Sequence, residues 1–285
     1  MKNLLFIGII GALVFILFFP IIIFISFEAS FYLFLFSVFP TLFLMLICSE
    51  IIIQYRLADN FLPIIEVLTK PFKINGYASL IFFLSIFTGT PGNAKLIGTA
   101  YQNKQINSYQ AEQLLCITSF FNPLLVISTI GFKFFGNQTI GLMLFASLFL
   151  VNLIIARFFK EVKYIGRTNF TKPPIFNEII ISSLKTMAII FSVIFMSAIL
   201  LNGLKMFIDN YYLLSIIEFV NGMFTLSDNY TIKKIILALI LINQESFSII
   251  LQSISIIKGY DIKISKYLII KAILSIMFVI VALFV

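Results

Sequence analysis

Residues 3–27 read NLLFIGIIGALVFILFFPIIIFISF, and none of them is charged. A lipid hydrocarbon core about 30 Å thick is crossed by about 20 apolar helical residues, so this stretch is long enough to span a membrane. Within a bilayer, a helix is the only single segment that satisfies its own backbone hydrogen bonds. The stretch therefore predicts a membrane-spanning helix near the start of the chain.

Further uncharged stretches of similar length follow at residues 29–49, 74–94, 113–132 and 134–156. The whole chain is 61% hydrophobic and 11% charged, with a mean hydropathy of +1.10. Soluble globular proteins average about 25% charged residues, so this chain lacks the polar groups for a water-facing surface. We predict an all-α fold, a polytopic transmembrane helical bundle, and not a soluble enzyme.

The charges and reactive side chains exclude several functions. The net charge is +8, but lysine and arginine lie between apolar stretches, as in loops that contact lipid headgroups, and we expect no nucleic-acid partner. The chain has no histidine, which removes most general bases near neutral pH. Cys48 and Cys116 both lie in apolar segments. We predict no catalytic residue, no metal site and no cofactor, and an intramembrane enzyme is the weakest alternative.

The chain divides into four parts: an N-terminal signal-anchor helix at 1–28, a first transmembrane repeat at 29–159, a basic cytoplasmic loop at 160–178, and a second transmembrane repeat at 179–285. We expect a turn around Glu28, a kink at Pro40 and an amphipathic interfacial piece at 63–69. We expect one helix to cover about 111–131. The membrane lipids are the first expected partner, and a homo-oligomer is compatible with the sequence.

The basic loop indicates sidedness. Its region contains Arg157, Lys160, Lys163, Arg167 and Lys172 against the single acid Glu161. Positive charge accumulates in cytoplasmic loops, so we place this loop inside the cell. We therefore predict a multi-pass protein of the bacterial cytoplasmic membrane, with the side of the C-terminus left open.

Short motifs recur in the two predicted repeats, in the same order and about 155 residues apart. The motif FSVF at 36–39 recurs as FSVIF at 191–195, IIE at 64–66 recurs at 216–218, and Ile106 with Tyr109 recurs as Ile264 with Tyr267. Collinear matches indicate duplication, and interrupted segments in corresponding places point to a transporter's binding site. We predict inverted halves with interrupted or re-entrant helices. Against inversion, Lys258, Lys263 and Lys266 would lie outside.

The first interruption is TGTPGNAK at residues 88–95. Proline and paired glycines break a helix, and the restarting N-terminus carries partial positive charge to which Lys95 adds. We predict that Thr88, Gly89, Thr90, Gly92, Asn93 and Lys95 bind an anionic group of a solute. The alternative is a surface loop whose lysine extends to the headgroups.

Two further interruptions are predicted. Asn122 precedes Pro123 within an apolar stretch, and it is suited either to donate to a solute or to bond a carbonyl that Pro123 frees. Residues 243–248 read NQESFS. A carboxylate at membrane depth costs about 2.5–3.5 kcal/mol, so Glu245 should face a cavity or a partner, for which we nominate Lys95. Binding is assigned to Gln244, Ser246, Ser248 and Gln252, and ion or proton coupling to Glu245 or Glu218.

These motifs together resemble the sporulation integral membrane protein family of Gram-positive spore formers, which is related to the nucleoside-recognition Gate membrane domains. The turn at 88–94 matches a small-Gly-x-Pro-x-x-Ala pattern, Tyr101, Glu112 and Asn122-Pro123 match the next elements, and 217–222 matches Leu-Glu-Ile-x-x-Gly. A final Phe-Gly-Gly-Leu-Ser-x-x-x-Gln segment is replaced by 243–248 with Gln252, where polar Gln244-Glu245 stands in place of a small pair. The resemblance covers about 30–280.

The resemblance implies transport, of dipicolinate in the sporulation members or of nucleosides in the wider Gate group. Our leading hypothesis is a transporter or permease-like protein that moves a small anionic solute through a midplane site built from two interrupted helices. The alternatives are a nucleoside transporter and a non-transporting scaffold in envelope or spore assembly. Both transporter hypotheses imply a small-molecule solute as a partner, in addition to the membrane lipids.

Overall fold

The computed structural model describes residues 2–162, 175–208, 210–227 and 229–284. Within these ranges the regular structure is helical and contains no strand. The α-helices are α1 Lys2–Phe18, α2 Pro20–Leu33, α3 Phe39–Gln54, α4 Leu62–Thr69, α5 Tyr77–Thr88, α6 Gly92–Gln102, α7 Ser108–Ile117, α8 Gln138–Ala156, α9 Phe176–Leu204, α10 Tyr211–Leu214, α11 Phe219–Ser227, α12 Ile232–Gln244, α13 Phe247–Ile257 and α14 Ser265–Ala282. Two π-helices cover Phe34–Val38 and Leu124–Phe134, and short 3-10 turns cover Asp59–Phe61, Lys70–Phe72 and Lys258–Tyr260. The predicted all-α fold is confirmed.

Five helical stretches among the described residues are long and apolar enough to cross a membrane. They are Pro20–Gln54, Gln138–Ala156, Phe176–Leu204, Ile232–Tyr260 and Ser265–Ala282. Large apolar side chains point outward from them, as Phe24 and Met196 do at 75% and 64% exposure. Such a surface suits lipid and not water. The described part of the chain is therefore a multi-pass membrane fold.

The first apolar stretch is interrupted earlier than predicted. Helix α1 ends at Phe18 and α2 begins at Pro20, because proline lacks a backbone N–H and fits the first position of a helix. The expected turn around Glu28 is wrong, since Glu28 lies inside α2. The kink predicted at Pro40 stays a prediction; a π-helical turn, Phe34–Val38, precedes α3, and Pro40 is the second residue of α3.

Helix α2 packs along α9. The rings of Phe27 and Phe195 meet edge to face with centroids 5.5 Å apart, and the Asn202 side-chain amide donates to Ser26 Oγ at 2.9 Å. An edge-to-face pair and a buried hydrogen bond stabilise contacts between membrane helices where the hydrophobic effect between helices is weak. The N-terminal helices are thus joined to the second half of the chain.

Helix α4 is the predicted amphipathic piece. Ile64, Val67 and Leu68 are 63%, 72% and 63% exposed, whereas Ile65 and Thr69 are buried. An apolar face directed outward from a short helix is typical of a segment that lies in the membrane interface.

Two pairs of short helices, α5 with α6 and α12 with α13, flank the first and third breaks, and none of these four is long enough to cross a bilayer alone. Helices α5 and α6 have 12 and 11 residues, and α12 and α13 have 13 and 11. At 1.5 Å per residue each is roughly 16–20 Å long, about half of a hydrocarbon core. Helices α6 and α13 pack against each other, so the two halves of the chain meet where these short helices lie.

Two sequence predictions concern other segments. The prediction of one continuous helix at 111–131 is wrong, because α7 ends at Ile117 and a π-helix starts at Leu124. That π-helix packs closely on α8, where a Cβ on Gly131 would lie 2.5 Å from Gly141 Cα. Within the basic loop, residues 163–174, with Lys163, Arg167 and Lys172, lie outside the described residues.

Candidate functional site

The first break is a sharp turn between α5 and α6. Gly89 has φ 66° and ψ 177°, a conformation that essentially only glycine adopts, and a Cβ there would lie 2.6 Å from the backbone nitrogen of Asn122. Thr90 N–H donates to Phe120 O at 2.6 Å. The glycine therefore allows the turn to approach the non-helical segment 118–122 closely.

The second break lies directly against the first. The Asn122 side-chain amide donates to Phe87 O at 2.9 Å. The Asn93 amide donates to both the carbonyl and the hydroxyl oxygen of Thr118, each at 2.8 Å. Thus Asn122 bonds a carbonyl at the end of α5 and not one that Pro123 frees from its own helix, and two breaks separated in sequence form one braced unit.

The third break separates α12 from α13. Glu245 has φ 58° and ψ 124°, an uncommon conformation for a residue with a side chain. Ser246 Oγ donates to Ser215 O at 2.9 Å, and Phe247 N–H donates to Ile216 O at 2.7 Å. The restart of α13 is thus held by the segment that precedes α11.

A partly open cavity lies between these breaks, with an empty volume of about 690 Å³. The first half of the chain lines it with Leu33, Ser37, Val38, Thr41, Leu42, Thr88, Thr90, Pro91, Phe121, Asn122 and Leu125, and the second half with Ile190, Ile194, Glu218, Phe219, Val220, Ser248, Ile249 and Gln252. Both halves contribute to one candidate site.

The cavity contains some of the predicted binding residues and not others. Thr88, Thr90, Asn122, Ser248, Gln252 and Glu218 line it, whereas Gly89, Gly92, Asn93, Lys95, Gln244, Glu245 and Ser246 do not. Asn93 and Ser246 brace the breaks, and Lys95 and Glu245 pair elsewhere.

The lining is apolar and aromatic, with a few polar groups. Phe121 and Phe219 stack with centroids 4.3 Å apart and planes 15° apart, which joins the two halves at the cavity wall. Glu218 is the one charged residue in the described lining, and its Oε1 accepts the N–H of Val220 at 3.1 Å. The lining contains no lysine or arginine in the described part of the chain.

Lys95 lies outside the cavity lining. It is 9% exposed, and its ammonium donates to Ser182 Oγ at 2.6 Å and to Tyr260 OH at 3.0 Å. The ring of Tyr260 fits against Gly98, where a Cβ would lie 2.3 Å from it. Lys95 therefore joins α6 to α9 and to the turn after α13, on a side of α6 outside the cavity lining. The alternative of a lysine extending to the headgroups fails, because this lysine is buried.

Three backbone amides at the first break also donate hydrogen bonds within the protein. Thr90 N–H donates to Phe120 O, and Asn93 N–H donates to Gly89 O at 2.9 Å. Ala94 N–H donates to Asn93 Oδ1 at 2.8 Å. These three amides are therefore already engaged within the protein and do not bind a solute in this structure.

Glu245 pairs with Lys271 and not with Lys95. The Lys271 ammonium lies 3.2 Å from Glu245 Oε2, and Tyr267 OH donates to the same oxygen at 2.8 Å. Lys271 also donates to Asn243 O at 3.0 Å. The predicted partner was wrong because α14, which carries Lys271, packs against α12, whereas Lys95 lies against α9.

Sequence reasoning missed several buried charges. Glu50 is 1% exposed and accepts from Thr99 Oγ1 at 2.8 Å and from the Gln54 amide. Glu112 is 6% exposed and pairs with Lys266 at 2.9 Å. Each is an ionisable residue in or beside an apolar stretch, as Lys271 is, and that signal would have marked all of them as candidates.

The fold defines the class: a multi-pass α-helical membrane protein, with a cavity lined by broken helices. The chain is similar to the sporulation integral membrane protein YlbJ of Bacillus subtilis (strain 168), with 29% identity over 119 residues. This alignment covers 41% of the chain and 29% of the relative, so the chain matches under a third of the relative's length. No family model and no solved structure matches. The chain is thus related to a sporulation membrane protein, in agreement with the family resemblance of its motifs.

Proposed function

We propose that the protein is a secondary transporter or permease-like protein of the bacterial cytoplasmic membrane, and that the cavity binds its solute. The observation that carries the proposal is that broken helices from both halves of the chain line one cavity. Sites of this kind, at discontinuous helices near the bilayer midplane, are typical of secondary transporters.

We further propose that the two halves are structural repeats. Helices α5, α6 and α7 begin at Tyr77, Gly92 and Ser108, and α12, α13 and α14 begin about 155 residues later, at Ile232, Phe247 and Ser265. Positive-φ residues, Gly89 and Glu245, occupy the corresponding breaks. The motif at 64–66 is helical and its counterpart at 216–218 is a turn, so the broken helices support the repeat better than that motif does. The inverted orientation, with re-entrant breaks, remains part of the proposal.

The lining favours an uncharged planar solute, such as a nucleoside, over the small anion expected from Lys95. The described lining contains no lysine or arginine to hold an anionic group. The stacked rings of Phe121 and Phe219 and the amides of Asn122 and Gln252 suit an aromatic, hydrogen-bonding molecule. A dipicolinate-like anion is the second candidate, as the family resemblance of the motifs implies.

Uptake into proteoliposomes tests these proposals. The full-length protein is reconstituted, and the entry of labelled uridine and of labelled dipicolinate is measured. We expect saturable uridine uptake, and we expect Phe219→Ala to weaken half-saturation about tenfold, because stacking on an aromatic ring contributes about 1–3 kcal/mol per base. Gln252→Ala changes a residue of the cavity lining. Its matched control is Gln102→Ala, at an exposed position at the end of α6.

The possible results separate the candidates. Uptake of dipicolinate alone would identify the anion as the solute and reject the nucleoside. The scaffold role would replace transport if two results are found together. Neither solute is taken up, and spore or envelope function is unchanged when Asn122, Ser248 and Gln252 are replaced by leucine.

A further inference from the structure

A buried ion pair lies at the end of α12. Lys271 and Glu245 are each 1% exposed, and their charged atoms are 3.2 Å apart. Lys271 lies four residues after Tyr267, whose ring centroid is 5.7 Å from the ammonium. Burying two charges is costly, and replacing such a pair with apolar residues is often neutral or stabilising, so a buried pair calls for a reason other than stability.

The ammonium occupies a place where a cation is favourable. The last carbonyls of a helix are unpaired within it and carry partial negative charge, and Lys271 bonds the carbonyl of Asn243 in the last turn of α12. In transporters with broken helices, these C-terminal carbonyls are where coupling cations bind. The positive φ of Glu245 places its carboxylate at the same end.

The charges around this ammonium are few. Helix α14 packs against α12, α7 and α10. Helix α7 carries two ionisable residues on this side of the molecule. Cys116 interacts with the Lys271 ammonium, and Glu112 is paired with Lys266. Helix α10, Tyr211–Leu214, has no aspartate, glutamate, lysine or arginine. Glu245 is therefore the acid that balances Lys271.

The break also has oxygen atoms without a partner. Gln244 is fully buried, and neither Gln244 Oε1 nor Gln244 Nε2 has a hydrogen-bond partner among the described residues. The same holds for Glu245 Oε1. The break thus carries two unpartnered oxygens beside Asn243 in the chain, and oxygen is the ligand type that hard metal cations prefer.

We propose that the Lys271 ammonium is a built-in cation that fills an alkali-metal site at the α12–α13 break. It holds the broken helix in place, so the protein needs no sodium ion there. Ser248 lies three residues after Glu245 and lines the cavity. The Lys271–Glu245 pair therefore sets the position of the cavity wall. The relevance to solute movement rests on the proposed function, but the cation site itself does not.

The test is thermal unfolding of the purified full-length protein in detergent at neutral pH, with sodium chloride replaced by choline chloride at equal ionic strength. The wild-type protein should have the same Tm in both salts. Lys271→Met should unfold at a lower temperature in choline, and sodium should raise its Tm by roughly 5 °C when present about 100-fold above its Kd. Lys233→Met, an exposed lysine at the start of α12, is the matched control and should behave as the wild type.

The response must also depend on Glu245. The double variant Glu245→Gln/Lys271→Met should lose the sodium response while remaining folded. If Lys271→Met cannot be purified, Lys271→Gln, which keeps an N–H donor for Asn243 O, is measured in its place. A sodium-dependent Tm in the wild type, or no sodium response in a folded Lys271 variant, would overturn the proposal. Because no solute is used, these results are independent of the uptake experiments.

Discussion

Replacement of Gly89 by alanine gives the sharpest test of how the first break is built. The backbone there has φ 66° and ψ 177°, and the added Cβ would lie 2.6 Å from Asn122 N and 3.2 Å from Phe120 O. Neither contact is with a flexible side chain, so the turn or segment 118–122 must move.

The magnitude follows from two terms. A side chain in this region of backbone conformation costs about 1–3 kcal/mol. Separating the two breaks weakens the bond from Thr90 N–H to Phe120 O, and a lost hydrogen bond of this kind costs about 0.5–1.5 kcal/mol. We expect a loss of about 2–4 kcal/mol, or a fall in Tm of roughly 4–8 °C if the scaling known for soluble domains holds.

Two other glycines separate the contributions. Gly136 also has a positive φ, 63°, but a Cβ there meets no atom within 4 Å, so Gly136→Ala should show the conformational cost alone. Gly11 has neither feature and lies in α1, so Gly11→Ala should be neutral or slightly stabilising. Thermal unfolding in detergent should therefore rank the losses as Gly89, then Gly136, then Gly11. Equal losses at Gly89 and Gly136 would show that the close approach to Asn122 does not matter.

Two further substitutions test the buried polar contacts. Glu245→Gln should lower the free energy of unfolding by about 3–5 kcal/mol, because it leaves the Lys271 charge buried without its counter-ion. The double variant with Lys271→Met should recover part of this loss in chemical unfolding, and no recovery would argue against the pair. Asn93→Leu removes two hydrogen bonds to Thr118 and should cost about 1–3 kcal/mol. Asn103→Leu, at an exposed position after α6, should change the unfolding free energy little, and equal effects at the two positions would contradict the bracing of the breaks.

The sequence was most informative about features that depend on local composition. Uncharged runs of about 20 residues specify membrane spans because the bilayer thickness sets their length. The breaks at 88–95, 122–123 and 243–248 were predictable because proline, glycine and buried polar groups act on the helix that contains them. The helical boundary at Pro20 carried the same kind of signal, and it was overlooked because the run around it is uniformly apolar.

The pairing of charges was not predictable in this way. Lys95 and Glu245 were the natural partners by position within the breaks, yet each bonds residues of another helix. Lys271 meets Glu245 because α14 packs on α12, and nothing local to either residue encodes that packing.

The sequence by itself determined that this is a multi-pass helical membrane protein with three broken segments, since hydrophobic length and helix-breaking residues act over a few turns. Only the tertiary structure decided which break residues share a cavity, with Glu218 inside and Lys95 outside it. A charge in a low-dielectric interior is stabilised by whatever group lies within a few ångströms, and helix packing between distant parts of the chain chooses that group.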